Sequence, residues 1–202
     1  MPLRQNITLS CLILILSVGL VHAAPDSPME VVKGTVNKVI ALLTDEKLKT
    51  PDQSEKRRRL IEESIGRHYD YEEMAKRTLA MHWRTLTDRQ KAEFVNVFKT
   101  FLTKVYSKKI EGYAGEQVHY LSERLHGGYA LVRTKLISEK VDLPMDYHLF
   151  KKPEGWYVYD VFIDGVSLVR NYRDQFDRVL RSSSYADLVK KLREKSEELS
   201  SP

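Results

Sequence analysis

Residues 155–180 read GWYVYDVFIDGVSLVRNYRDQFDRVL and combine a strand, a turn and the beginning of a helix. Residues 156–163 are apolar on both faces, whereas a strand with one face in water alternates apolar and polar side chains. Asp164 and Gly165 end this strand, because Gly adopts positive φ without a clash at Cβ. Ser167 suits the N-cap of the helix that follows. The stretch therefore predicts a strand covered on both sides and a helix that folds back on the sheet.

The beginning of the chain has the pattern of a secretory signal. Arg4 precedes an apolar run at residues 7–21, and small residues follow at 23–24. The run is too short for a comfortable membrane span. The 202 residues suffice for one domain with a real core and are short for two. We expect a cleaved signal peptide at 1–24, a single domain at 25–202 and a periplasmic location.

The cysteine content and the net charge of the chain restrict the functions that it could have. Cys11 lies inside the predicted signal, so the mature domain would contain no thiol and no disulfide. Without Arg4 the formal net charge falls from 33 − 28 = +5 to 32 − 28 = +4. No basic stripe is interleaved with aromatic residues, which argues against nucleic-acid binding. The basic run at 56–59, Lys-Arg-Arg-Arg, is either a solvated helix face or a surface for anionic headgroups or an acidic partner.

The remaining periodicity predicts helices first, then an antiparallel meander, then helices. Gly127-Gly128 marks a two-residue hairpin, and Asp70, Thr87 and Ser184 stand at N-cap positions. Apolar spacing predicts helices at 29–48, 52–66, from 71 onward, 88–112, from 167 onward and from 184 onward, and strands at 118–124, 129–137, 145–150 and 156–163. This order indicates an α+β fold in which N-terminal helices cover a twisted four-stranded antiparallel sheet and C-terminal helices follow.

Catalytic and metal-binding motifs do not stand out. The histidines of the domain are scattered without metal-ligand spacing, so we expect no metal. The residues Gly165-Val166-Ser167-Leu168 resemble half of a nucleophile elbow, but the second glycine is missing. Asp160, among aromatic residues, is either a general base with a raised pKa or an acceptor of structural hydrogen bonds. Large apolar residues exceed what one face of four strands needs, and they form either a solid core or the lining of an apolar cavity between helices and sheet.

Three stretches carry a family resemblance: DYEEMAKRTLAMHW at 70–83, LTDRQKAEFVNVFKTFLTKVY at 86–106 and GWYVYDVFIDGVSLVRNYRDQF at 155–176. They resemble the MlaC family of periplasmic phospholipid-binding proteins, components of an ABC transport system that are also known as toluene-tolerance proteins. The Trp-x-x-Tyr-Asp strand followed by Gly-Val-Ser is the most specific piece. One departure is Ala80, where the family commonly has Gly.

The resemblance implies a lipid carrier. Acyl tails would lie in the apolar space between helices and sheet, with the headgroup toward solvent. It implies no enzymatic activity and no cofactor, since the phospholipid is cargo. It also implies two partners, an inner-membrane ABC transporter complex with MCE domains and an outer-membrane lipoprotein complex, and we expect a monomer.

The candidate lining residues come from the long fourth helix, the third helix and the sheet. For each of them, plain core and lipid contact remain open, and the inward face of the sheet is a guess. The candidates are Met74, Leu79, Phe94, Phe98, Phe101, Val105, Val132, Leu136, Tyr147, Leu149, Val158 and Val161.

Two other functions remain open. A small non-metal enzyme would use the same cone-shaped pocket with Asp160 as base, and an adaptor with a solid core would act through surface contacts alone. The sequence does not distinguish glycerophospholipids from hopanoids as cargo.

Overall fold

A computed structural model describes residues 27–199, which contain six α-helices and one five-stranded sheet. The predicted signal peptide and its cleavage site lie outside the described residues. The elements are α1 (Pro28–Thr44), α2 (Ser54–Gly66), α3 (Tyr71–Leu79), α4 (Asp88–Glu111), β1 (Gln117–His126), β2 (Tyr129–Ile137), β3 (Asp142–Lys152), β4 (Gly155–Ile163), β5 (Val166–Ser167), α5 (Leu168–Ser182) and α6 (Tyr185–Glu198). Short 3₁₀ segments are Glu46–Leu48, Pro51–Gln53 and Ala80–Thr85.

The sheet is antiparallel throughout, with its strands in chain order from β1 to β5. Gly127 and Gly128 form the predicted two-residue turn, with φ of 51° and 84°. Two central residues at positive φ are what a type I′ turn requires, and its twist matches that of paired strands. The helices, the antiparallel sheet and the α+β class are as predicted from the sequence.

The sheet has one strand more than the sequence predicted. Asp164 and Gly165, with φ of 49° and 74°, turn the chain back so that Val166 and Ser167 pair with Ile163 and Phe162. A strand of two residues is too short to produce a recognisable alternation. Ser167 still caps α5 as predicted, because its Oγ accepts a hydrogen bond from the Arg170 N–H at 2.9 Å.

Asp160 on β4 has a structural role at the same helix. It is buried, and its Oδ2 accepts a hydrogen bond from the Ser167 hydroxyl at 2.5 Å. Its Oδ1 accepts another from the Val169 N–H at 3.0 Å. Both carboxylate oxygens are thus engaged in fixing the start of α5 to β4, as the structural interpretation of this residue predicts.

Apolar side chains form two large clusters. One fills the space between α1 and one face of the sheet, where Val31 and Val32 pack near Val132 and Leu149. The other lies between α3, α4, α5 and α6 and includes the aromatic rings of Phe94, Phe98 and Phe101 on α4. Within residues 27–199, no helix combines the length and the apolar character needed to cross a bilayer.

Ala80 ends α3 in a backbone conformation that disfavours a side chain. Its φ is 48° and its ψ is −117°, while its N–H donates to the Lys76 carbonyl. A Cβ makes such positive-φ geometry costly, by about 1–3 kcal/mol, whereas Gly adopts it freely. Ala80 is the departure noted in the sequence analysis, and the departure therefore has a conformational consequence.

We expect Ala80→Gly to stabilise the protein by about 1 kcal/mol, because the relieved strain exceeds the added entropy of the unfolded chain. For a domain of this size that raises the melting temperature by about 2–4 °C, measurable by circular dichroism. Ala92→Gly, in the exposed interior of α4, is the matched control and should cost about 1 kcal/mol. If both variants lost the same amount of stability, the backbone at Ala80 would not be strained.

Candidate functional site

An apolar cavity of about 170 Å³ lies between α2, α4 and the sheet, and it is partly open to solvent. Its floor is formed by β3 and β4, and its walls by the two helices, with the beginnings of α3 and α5 at one end. The lining residues are Arg58, Ile61, Glu62, Ile65, Tyr69, Tyr71, Met74, Leu102, Thr103, Tyr106, Ser107, Ile110, Glu111, Met145, Val161, Ile163 and Leu168.

Helical spacing places the apolar wall of α4. Leu102, Tyr106 and Ile110 are four residues apart and therefore share one face of the helix. On α2, Ile61 and Ile65 are also four residues apart and face them across the cavity. Each helix thus has a narrow apolar stripe, and the two stripes form opposite walls of this cavity, which we call the slot.

Charged groups mark the opening of the cavity. Arg58 and Glu111 are partly exposed, and the Arg58 Nε lies 3.3 Å from a Glu111 carboxylate oxygen, which links α2 to α4. The Nη1 of Arg58 also donates to Glu55 at 3.1 Å. Glu62 lies one turn after Arg58 on the same face of α2. A partly exposed ion pair contributes little to stability, and Ile110 of α4 also packs against the small cluster that contains Ile61 of α2.

The tyrosines of the lining remain uncharged at physiological pH. Burial, together with a smaller effect of the nearby Glu62 charge, raises the pKa of Tyr71 to about 12. Burial also raises the pKa of Tyr106. The inner surface of the cavity is therefore neutral, and its ionised groups are confined to the opening.

The structure places two of the predicted site residues, Met74 and Val161, in the wall of this cavity. The other ten lie elsewhere. Leu79, Phe94, Phe98 and Phe101 are buried in the cluster between the helices, and Val105 packs against it half-buried. Val132, Tyr147, Leu149 and Val158 are buried in the cluster between α1 and the sheet, and Leu136 is half-buried on β2. Contact of these residues with lipid stays a prediction.

Sequence reasoning missed most of the lining, although one signal was present. The α4 stripe continues beyond Phe101 through Leu102, Tyr106 and Ile110. Of these three, Ile110 is not part of the cluster that joins α3, α4, α5 and α6. The sequence did not indicate that α2 contributes to the lining of the cavity, because most of the residues of this helix are polar or charged. A helix with only a few apolar residues at four-residue spacing is typical of a surface helix, and the pattern does not tell what lies beneath it.

Asp160 is not among the residues that line the cavity, and its oxygens are engaged with Ser167 and Val169. Across residues 27–199, no group of three or more His, Cys, Asp or Glu side chains is arranged to hold a metal ion. The slot is able to enclose the apolar part of an amphiphilic molecule whose polar end stays at the opening.

Comparison with known proteins gives one family and one type of fold. The model of the family described as MlaC protein matches residues 33–194. A solved structure with the same fold is that of the phospholipid-binding protein from Ralstonia solanacearum in complex with a phospholipid, with a TM-score of 0.78. It is 24% identical in sequence, and the match covers 87% of this chain and 100% of the other. Among proteins with curated descriptions, none matches this chain significantly.

Proposed function

Because this chain belongs to the MlaC family, we propose that it is a periplasmic lipid carrier that holds phospholipid tails between α2, α4 and the sheet. The observation that carries the proposal is the apolar slot with its ionised groups confined to the opening. This arrangement suits an amphiphile with apolar tails and a polar head. The phospholipid bound by the Ralstonia protein of the same fold is consistent with it.

The physical need for such a carrier lies in the cost of exposing tails to water. Each exposed methylene costs about 0.8 kcal/mol, so a phospholipid crosses an aqueous compartment very slowly by itself. A protein cavity removes that barrier. Because the tails move from one apolar surrounding to another, uptake and release are nearly balanced, and docking to a membrane complex then sets the direction of transfer. No cofactor takes part in this process.

Full tails require more room than the cavity now has. A dry apolar cavity of about 150 Å³ accommodates a molecule of the size of benzene, so about 170 Å³ accommodates only part of a phospholipid. We propose that α2 moves away from α4 on loading. Its Ile61 packs in a small cluster with Leu42 and Leu48, separate from the two large ones, so this movement leaves the main clusters intact.

We propose two docking partners, an inner-membrane ABC transporter complex with MCE domains and an outer-membrane lipoprotein complex, for a monomeric carrier that moves between them. The rate of lipid release tests this part. Release should be faster in the presence of at least one partner complex, and identical rates with and without either complex would contradict the shuttle.

The first experiment is native mass spectrometry of the protein purified from a bacterial periplasm, with organic extraction of the same sample. We expect a stoichiometric mass shift that fragments to phospholipid. A protein that carries no lipid after purification and takes none up from phospholipid vesicles would contradict the carrier function. That outcome would favour an adaptor that acts through its surface.

A further inference from the structure

The opening of the cavity carries one positive and two negative side chains. Arg58, Glu62 and Glu111 are the ionised residues that line the cavity. We propose that this opening selects phospholipids with a zwitterionic headgroup ending in an ammonium group over phospholipids with a net negative headgroup. The inference rests on the proposed function, because it concerns the headgroup of the lipid whose tails occupy the slot.

The position of the charges follows from the two helices. Arg58 and Glu62 are one turn apart on the inner face of α2, and Glu111 closes the opposite side at the end of α4. When the tails lie in the slot, the glycerol backbone holds the phosphate at its opening, which is where Arg58 lies. An ammonium group two carbons beyond the phosphate is then within reach of Glu62, which moves together with Arg58 on α2, or of Glu111 across the opening.

Arg58 is able to exchange partners. The distance of 3.3 Å from its Nε to Glu111 exceeds the 2.7–2.9 Å or so of a strong charge-assisted hydrogen bond. A guanidinium has five N–H donors, and its planar fork suits a phosphate. A phosphate at the opening therefore takes over part of the guanidinium, and the carboxylate of Glu111 becomes available to the ammonium group.

A net negative headgroup lacks that second contact. Its phosphate meets Arg58 in the same way, but it has no ammonium group to interact with the carboxylates of Glu62 and Glu111. In water, two unit charges about 4 Å apart change a binding constant about fivefold, and salt reduces this further. Of residues 56–59, only Arg58 lines the cavity, while Arg57 donates to the Leu48 carbonyl and Arg59 lies 3.8 Å from Glu63.

The test is competitive loading. Delipidated protein is incubated with vesicles containing equal amounts of phosphatidylethanolamine and phosphatidylglycerol with identical acyl chains, and the lipids bound to the re-isolated protein are quantified by mass spectrometry. We expect the wild-type protein to hold phosphatidylethanolamine in about fivefold excess. The double variant Glu62→Gln with Glu111→Gln should lose that excess or favour phosphatidylglycerol. Arg58→Gln should lower the retention of both lipids.

The exposed pair formed by Arg59 and Glu63 on the same helix provides the control. Neither residue lines the cavity, so Arg59→Gln and Glu63→Gln should leave the lipid ratio unchanged. Equal loading of the two lipids in the wild-type protein, with no change in the double variant, would overturn the headgroup preference and leave the carrier function intact. No loading of either lipid would overturn both. Thermal unfolding of each variant separates loss of folding from loss of selectivity.

Discussion

Replacing Phe98 with alanine is expected to lower the free energy of unfolding by about 3–5 kcal/mol. The Phe98 side chain is 0% exposed, and its ring lies 5.8 Å from that of Phe94. It also meets Tyr172 and Phe176 edge-on, each at 5.9 Å. Removing the ring leaves a cavity among three aromatic rings that are held by two helices, α4 and α5, so the surroundings collapse poorly. Urea denaturation followed by circular dichroism measures the loss.

Tyr129→Ala is the matched control, because that ring is 49% exposed at the beginning of β2. It should cost far less than Phe98→Ala. If Phe98→Ala kept its stability and lost bound lipid instead, Phe98 would have to contact the tails, as one interpretation of the sequence held. The relative size of the two effects therefore decides between core and lining at this position.

The second large effect is expected at the floor of the cavity, where Met145→Asp should reduce lipid retention more than tenfold. Met145 is half-buried and lines the cavity between α2, α4 and the sheet. In the empty protein the new carboxylate remains in contact with water, so folding tolerates it. An acyl tail in the slot would remove that water, and burying an unpaired carboxylate is strongly unfavourable. Phospholipid per protein after organic extraction measures the change.

Met145→Leu should retain lipid, because it keeps an apolar side chain of similar volume. Val166→Asp places a carboxylate at a site that is 58% exposed and outside the cavity, and it should also retain lipid. Normal retention in Met145→Asp would move the tail site away from this slot. Because folding is checked by thermal unfolding in all three variants, a loss of lipid with a normal melting temperature is specific to binding.

The sequence predicted most of the elements, because their signals are local. The capping boxes show this best: Thr87 with Gln90 begins α4 and Ser184 begins α6 at the predicted residues. Local apolar patterns, a two-glycine turn and, for β4, a run that is apolar on both faces predicted the four long strands. The added strand β5 has only two residues and exists because Asp164 and Gly165 direct the chain back along β4.

The cavity was harder to predict than the fold, for a physical reason. Core and cavity walls use the same apolar side chains, and only the distance between opposing helices separates them. Phe98 and Leu102 lie one turn apart on α4, yet Leu102 lines the slot and Phe98 does not. Both belong to the buried cluster between the helices, but Phe98 packs against rings of α5, whereas Leu102 also borders the cavity that α2 lines. Spacing along one helix contains no information about the partner across from it.

The order of the strands has a consequence for how the chain acquires its structure. Each strand pairs with the one that precedes it in sequence, so the sheet assembles by successive hairpins without a distant segment having to be brought in. Proteins dominated by such local contacts fold faster than proteins of similar stability with long-range pairings. Apolar strands that pair this early are exposed only briefly in the folding chain, which lowers its risk of aggregation.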